Sequence, residues 1–295
     1  DPGRDAALPP AVAAQIAALD ISQHDGANLA REMAERRKQA DSLSDDDAKA
    51  QARKAYQQAL NQLARQAATR SVLRALYSPR QLQENLTWFW LNHFSVHQGK
   101  ADLRALVGDY EERAIRPHVL GRFRDLLAAT LHHPAMVLFL DNQQNAAGRI
   151  NENYARELME LHTLGVGGGY SQRDVQELAR VLTGVGVSLK PGAPRLRPAL
   201  QPFYQRQGLW EFNPARHDFG DKTLLGHPIR GSGPAELDQV IDLLSRQPAT
   251  SRFISHQLAQ YFVADEPPPA LVERMAATFR QTDGDIAATL RTLFG

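Results

Sequence analysis

A mainly α fold is predicted: an irregular multi-helix domain with a small β-hairpin insertion around residues 203–226. Helical periodicity recurs along most of the 295 residues. Segment 44–77 contains neither Gly nor Pro and is dense in Ala, Gln, Arg, Lys and Leu, which favour helix. Between 186 and 210 several Gly and Pro interrupt the pattern and no helical period survives, which marks a break before the hairpin expected beyond it.

In chain order, residues 1–43 read as a partly loose lead-in, with Pro and Ala crowded into the first 20, and 44–295 as one helical domain. Asp45, Asp46 and Asp47 stand at the positive end of the dipole of the long 44–77 helix. Ser78-Pro79 starts a second helix expected over 80–97. Further helices are expected at 110–116, halted by Pro117, at 122–132, and at 134–140, begun by Pro134. Segments 210–212 and 222–225 are expected to pair as a hairpin around HDFGD, and helical periodicity returns at 235–246, 248–263, 269–281 and 285–294.

The most informative stretch is RINENYARELMELHTLGVGGGYSQRDVQELARVLTGVG, 149–186, which reads as two helices joined by a glycine-rich turn. Asn151 suits an N-cap and Gly165 a stop. On the first helix Tyr154, Leu158 and Leu161 share one arc, with Glu157 between Leu161 and Leu164 on one flank and His162 between Leu158 and Ala155 on the other. Ser171 with Asp174 forms a capping box for the second helix. Gly167-Gly168-Gly169 lacks the Lys-Ser/Thr of a phosphate loop and reads as a tight, positive-φ connection.

Together with TWFWLNHFSVH (87–97), RPHVLGRFRDLLAATLHHPAMVLFLDN (116–142) and FNPARHDFGDKTLLG (212–226), this stretch closely resembles the bacterial family catalogued as domain of unknown function 1800, over roughly residues 70–265. The resemblance implies a mostly helical, usually exported protein, often encoded beside a sulfatase-like partner, and it brings no established activity. It also implies that members begin earlier and continue past the final TLFG. The chain is therefore expected to be a mature or trimmed form of a periplasmic or secreted protein, opening on DPGRDAALPP with no signal peptide.

Composition excludes several classes. A net charge of +1 from 34 basic and 33 acidic residues offers no global field for nucleic acid. Without Cys there are no disulfides, thiolate zinc sites or Cys nucleophile. The longest apolar run, 135–140, is far too short to span a bilayer. No serine-hydrolase elbow, dinucleotide fingerprint or calcium loop is present, and Ser95 points away from His93 on a helix.

Candidate chemistry gathers on three segments. Glu157, sent towards an apolar flank, is expected to have a raised pKa and to act as general acid or base. The alternative is a buried ion pair to Arg113, Arg116 or Arg180. His93 lies in the middle of the apolar face set by Leu82, Leu86, Phe89 and Trp90, either as a catalytic partner or as a core histidine. His97 follows one turn on, the H-x-x-x-H spacing of a two-histidine metal site. His93, His97 and Glu157 are thus candidate ligands for a divalent ion such as zinc. His162 either joins this network or meets the carbonyls of the last turn. His217 and Asp218, on a loop tightened by Gly220 and followed by Lys222, are candidate substrate contacts, or else an exposed His beside an Asx turn. Trp88, off the main apolar arc of its helix, is a candidate groove residue.

Two functions fit. One is an exported hydrolase or transferase acting on an envelope or extracellular polymer, a polysaccharide by preference, with Glu157, His93 and His162 as acid–base residues. The other is a non-enzymatic binding or assembly protein that docks the sulfatase-like neighbour or a surface glycan.

Overall fold

The computed structural model describes residues 7–100 and 102–295; residues 1–6, the start of the expected lead-in, lie outside the described residues. The chain divides into two units, 1–116 and 117–295, where one domain was expected over 44–295. The described part of the lead-in is helical and belongs to the first unit: α1 (Pro10–Ala17), α2 (Asp20–Gln23) and α3 (Gly26–Ser42). Its prolines mislead because Pro10 occupies the first helical turn, where the missing N–H costs no bond.

In unit 1, α1, α2 and α3 pack along α4 (Asp46–Tyr77). Asp45 Oδ1 accepts from Ala48 N at 2.7 Å, so a capping carboxylate stands where the expected acidic cluster begins. Tyr56, Leu60, Leu63, Ala67 and Arg70 make the buried stripe of α4 at alternating spacings of four and three. The helix α5 (Gln81–His93) ends one turn before the expected 97. Phe94 leaves helical geometry, and its carbonyl accepts from Tyr110 Oη at 2.8 Å instead of continuing the ladder. Next, α6 (Val107–Asp109) runs into a π-helical turn, Tyr110–Ile115, in place of the plain helix expected at 110–116.

Unit 2 begins with α7 (Phe123–Leu131), α8 (Pro134–Phe139), α9 (Asn153–Glu160) and α10 (Gln172–Val181). The Ser171–Asp174 capping box is present, with both reciprocal bonds made. Gly165, Gly167 and Gly169 take positive φ between α9 and α10, as the glycine-rich turn requires. The chain closes with α11 (Ala235–Ser245), α12 (Pro248–Phe262), α13 (Pro269–Gln281) and α14 (Ile286–Phe294). These follow the expected periodic segments to within one residue.

The small β insertion is there, but its pairing differs from the hairpin expected between 210–212 and 222–225. Strands β1 (Val185–Val187), β2 (Gln205–Gln207) and β3 (Trp210–Phe212) form an antiparallel sheet in the order β1-β3-β2. A separate ladder joins β4 (Lys222–Leu224) to β5 (His227–Ile229). Each hairpin closes on its nearest neighbour through two residues, Gly208-Leu209 and Leu225-Gly226. Leu225 and Gly226 both have positive φ, the geometry that matches strand twist. Among the described residues, no helix is long and apolar enough to cross a membrane.

Candidate functional site

The acid–base candidate does not sit as its sequence position suggests. Asn151 Oδ1 accepts from Asn153 N at 3.0 Å just before α9, but the N-cap position is Glu152, one residue later than expected. The helix then widens early: the Glu157 carbonyl accepts from both Leu161 N and His162 N, and Leu164 N reaches Met159 O at 2.8 Å. This shift turns Leu161 outward, 48% exposed, while His162 is buried on the apolar side where it was expected. Glu157 loses the apolar wall expected of Leu161 and is half-buried. Among the described residues, its carboxylate joins no hydrogen bond or ion pair. Partial burial raises its pKa, Glu160 adds to the rise, and Arg156 opposes it. The arginines expected as partners pair with other carboxylates. Arg113 pairs with Asp109 at 2.8 Å, Arg116 with Glu84 and Glu111, and Arg180 with Glu177 and Asp218.

Both His217 and Asp218 make hydrogen bonds within the fold, His217 wholly enclosed and Asp218 partly exposed. The His217 side chain is wholly enclosed, with Nε2 2.9 Å from Glu236 Oε1 and Nδ1 2.7 Å from Thr183 O. Lys222 Nζ donates to Glu236 Oε2 at 2.6 Å and also to the Asp218 carbonyl. Ser232 N and Gly233 N complete the coordination of Glu236 Oε1, each at 2.9 Å. Burial works against the Glu236 carboxylate, but the bonds from His217 and Lys222 outweigh it and hold its pKa below the ordinary value. Asp218 Oδ2 accepts from Arg180 Nε at 2.8 Å, and Oδ1 accepts from Gly220 N at 2.9 Å in an Asx turn. The Arg180 bond holds the Asp218 carboxyl low. Gly231 is required beside this knot, since a Cβ there would fall 1.8 Å from the Phe219 carbonyl oxygen. Glu236 escaped notice in the sequence. Its signal is a carboxylate three residues after Gly233, early in a helix, where free backbone N–H groups face it.

His93 and His97 do not form a two-histidine ligand pair on one helix. His93 is the last residue of α5, half-buried against Phe94 at a ring separation of 4.6 Å. His97 stands exposed in the turn beyond it. His93 belongs to unit 1 and Glu157 to unit 2. Among the described residues, no group of three or more His, Asp and Glu is placed to hold a metal ion.

Trp88 lies where an off-arc aromatic should. It is 60% exposed, whereas Phe89 and Trp90 are buried. It lines a cleft of about 180 Å³ in unit 1, together with Ser71, Glu84, Asn85, Glu111 and Arg116. The floor is an ion bridge. Arg116 gives one guanidinium N–H group to Glu84 Oε2 at 2.6 Å and the other to Glu111 Oε1 at 2.8 Å. Ser71 Oγ donates to Glu111 Oε2. The side chains of Glu84 and Glu111 are 8% and 6% exposed. Burial opposes the charge of Arg116, but the Glu84 bond and the Glu111 charge raise its pKa nonetheless. Arg70 and Arg74 both pair with Glu112, and Arg70 also donates to the Gly108 carbonyl. The π-helical turn presents Glu111 and Glu112 to this cluster, and such turns occur frequently at functional sites.

A family model described as "Protein of unknown function (DUF1800)" matches residues 5–295. No curated protein and no solved structure matches the chain.

Proposed function

The chain belongs to the DUF1800 family, which supplies no activity, and we propose that it is a non-catalytic binding protein holding a glycan in the cleft of unit 1. The observation that carries this reading is Trp88: a large exposed indole beside buried, fully ionic groups. An aromatic face next to planar polar side chains suits a sugar ring, which offers C–H groups to the indole and hydroxyls to the acceptors. Arg116 braces Glu84 and Glu111, so the floor is rigid before any ligand arrives. An envelope or extracellular glycan agrees with the exported character implied by the family resemblance. Docking of a sulfatase-like neighbour stays part of the same proposal, as a partner that would share or present that glycan.

Fluorescence tests the reading directly. Of the three tryptophans, Trp90 and Trp210 are buried, so iodide quenching reports on Trp88. Short oligosaccharides should protect the emission, and Trp88→Ala should weaken their binding by about tenfold or more, equal to about 1.4 kcal/mol. Unchanged affinity in a folded Trp88→Ala variant would remove the cleft from consideration.

A second reading is supported by one observation, the unpartnered, half-buried Glu157 with its raised pKa. It is a hydrolase or transferase acting on a polysaccharide, with Glu157 as general acid or base. Here Glu157→Gln should lower turnover about a hundredfold or more while leaving cleft binding intact. Absence of any turnover difference between wild type and variant on polysaccharide substrates would eliminate this reading.

A further inference from the structure

We propose that the cleft of unit 1 selects a protonated amine, carried on a glucosamine-type saccharide. The inference rests on the glycan reading above and adds what the ligand must carry.

The bonding of each lining side chain sets the requirement. Gln81 Nε2 is engaged by two backbone carbonyls, Ser78 O at 2.7 Å and Ala75 O at 3.1 Å. Asn85 Nδ2 donates to Gln81 O at 2.9 Å, and Thr87 Oγ1 to Gln83 O at 2.7 Å. The donors of Gln81 and Thr87 thus turn back into the backbone, and the amide oxygens of Gln81 and Asn85 remain available as acceptors. Arg116 gives one N–H of each terminal nitrogen to Glu84 and Glu111, and its enclosed Nε has no hydrogen-bond partner among the described residues. Glu84 itself makes one bond, through Oε2. Its Oε1 has no hydrogen-bond donor among the described residues and is not fully enclosed, and Glu84 lines the cleft.

A carboxylate more than nine-tenths buried, with one oxygen free of protein donors, offers a ligand an acceptor that a charged donor fits best. Formal charge points the same way: two carboxylates line the cleft against one guanidinium. The exposed Trp88 face attracts cations. An acceptor-rich, net-negative pocket with an indole at its rim repels sulfated or carboxylated sugars and leaves part of its capacity unused with a neutral one. An ammonium group supplies three donors and a positive charge in a compact head. At about 180 Å³ the space lies below the range of about 300–1,000 Å³ typical of drug-sized ligands. It therefore accommodates one ring and its amine rather than a long segment of polymer.

The test titrates the full chain with three tetrasaccharides of matched linkage, bearing free amines, N-acetylated amines and hydroxyls only, at low and at high salt. Calorimetry and Trp88 quenching are the readouts. The free-amine tetramer should bind at least tenfold tighter than the other two at low salt, and salt should erode that margin. Glu84→Gln, checked for folding by circular dichroism, should reduce the preference to about threefold or less. If Glu84→Gln does not fold, the salt dependence of wild type decides alone. Equal affinity for all three tetramers would overturn the amine requirement and leave the glycan reading standing. No binding of any saccharide would overturn both. A lysine tetrapeptide that binds as tightly as the amino sugar would overturn the saccharide assignment.

Discussion

Glu236→Ala is expected to cost unit 2 about 3–5 kcal/mol, because it strands the buried Lys222 ammonium without its counter-charge. The side chains of His217, Lys222 and Glu236 are all wholly enclosed, so water cannot take over the lost bonds. The same carboxylate also holds Ser232 N and Gly233 N, which tie the loop before α11 to its first turn. Denaturant unfolding should register the loss, and the Ser232 and Gly233 amides should exchange faster with solvent. Pairing Lys222→Met with Glu236→Leu should cost less than Glu236→Ala alone, since removing both charges leaves none unpaired. The acid limb of stability follows from the lowered Glu236 pKa. Its contribution is fully present above the unfolded-state value, near 4.3 for glutamate, and is lost as pH falls through the lower folded-state value. Wild type should therefore lose stability on acidification below about pH 4, and the double variant should lose less. An acid limb of equal steepness in both proteins would show that the network carries no such linkage.

What could be read from the chain in advance follows the range of the interactions involved. The helix α4 was legible because its cues are local: Asp45 at the cap, acids in the first turn and no Gly or Pro for 32 residues. The Ser171–Asp174 box was legible for the same reason, its partners being three residues apart. The fate of His217 was not, because its carboxylate lies 19 residues away across a hairpin. The hairpin was misread because Leu225-Gly226 closes it, and a leucine at positive φ carries no turn signal. Glu157 illustrates a third case. Its arc was correct for an ideal helix, but the widened last turn of α9 rotates Leu161 out of its expected place, while His162 stays on the apolar side. The cleft was half visible. Trp88 stood off the apolar arc of its helix, yet Ser71, Glu84, Glu111 and Arg116 converge only through tertiary packing and an unannounced π-helical turn.

That convergence sets the second large effect. Arg116→Met should destabilise unit 1 by about 3–5 kcal/mol, leaving two nearly enclosed carboxylates side by side with no cation between them. Arg116→Lys should recover only part of the loss. One ammonium cannot span two carboxylates as the planar guanidinium does, with one nitrogen on each. The triple variant Arg116→Met, Glu84→Gln, Glu111→Gln removes all three charges and should recover most of the stability in denaturant unfolding. Its binding behaviour separates structure from recognition. Trp88 is untouched, so a neutral saccharide should still quench its emission, but the preference for an amine should be gone. If the triple variant stays as unstable as Arg116→Met, the ion bridge is not what holds α5 to the π-helical turn. Packing around Leu86, Trp90 and Ile115, all fully buried, would then be the stronger constraint.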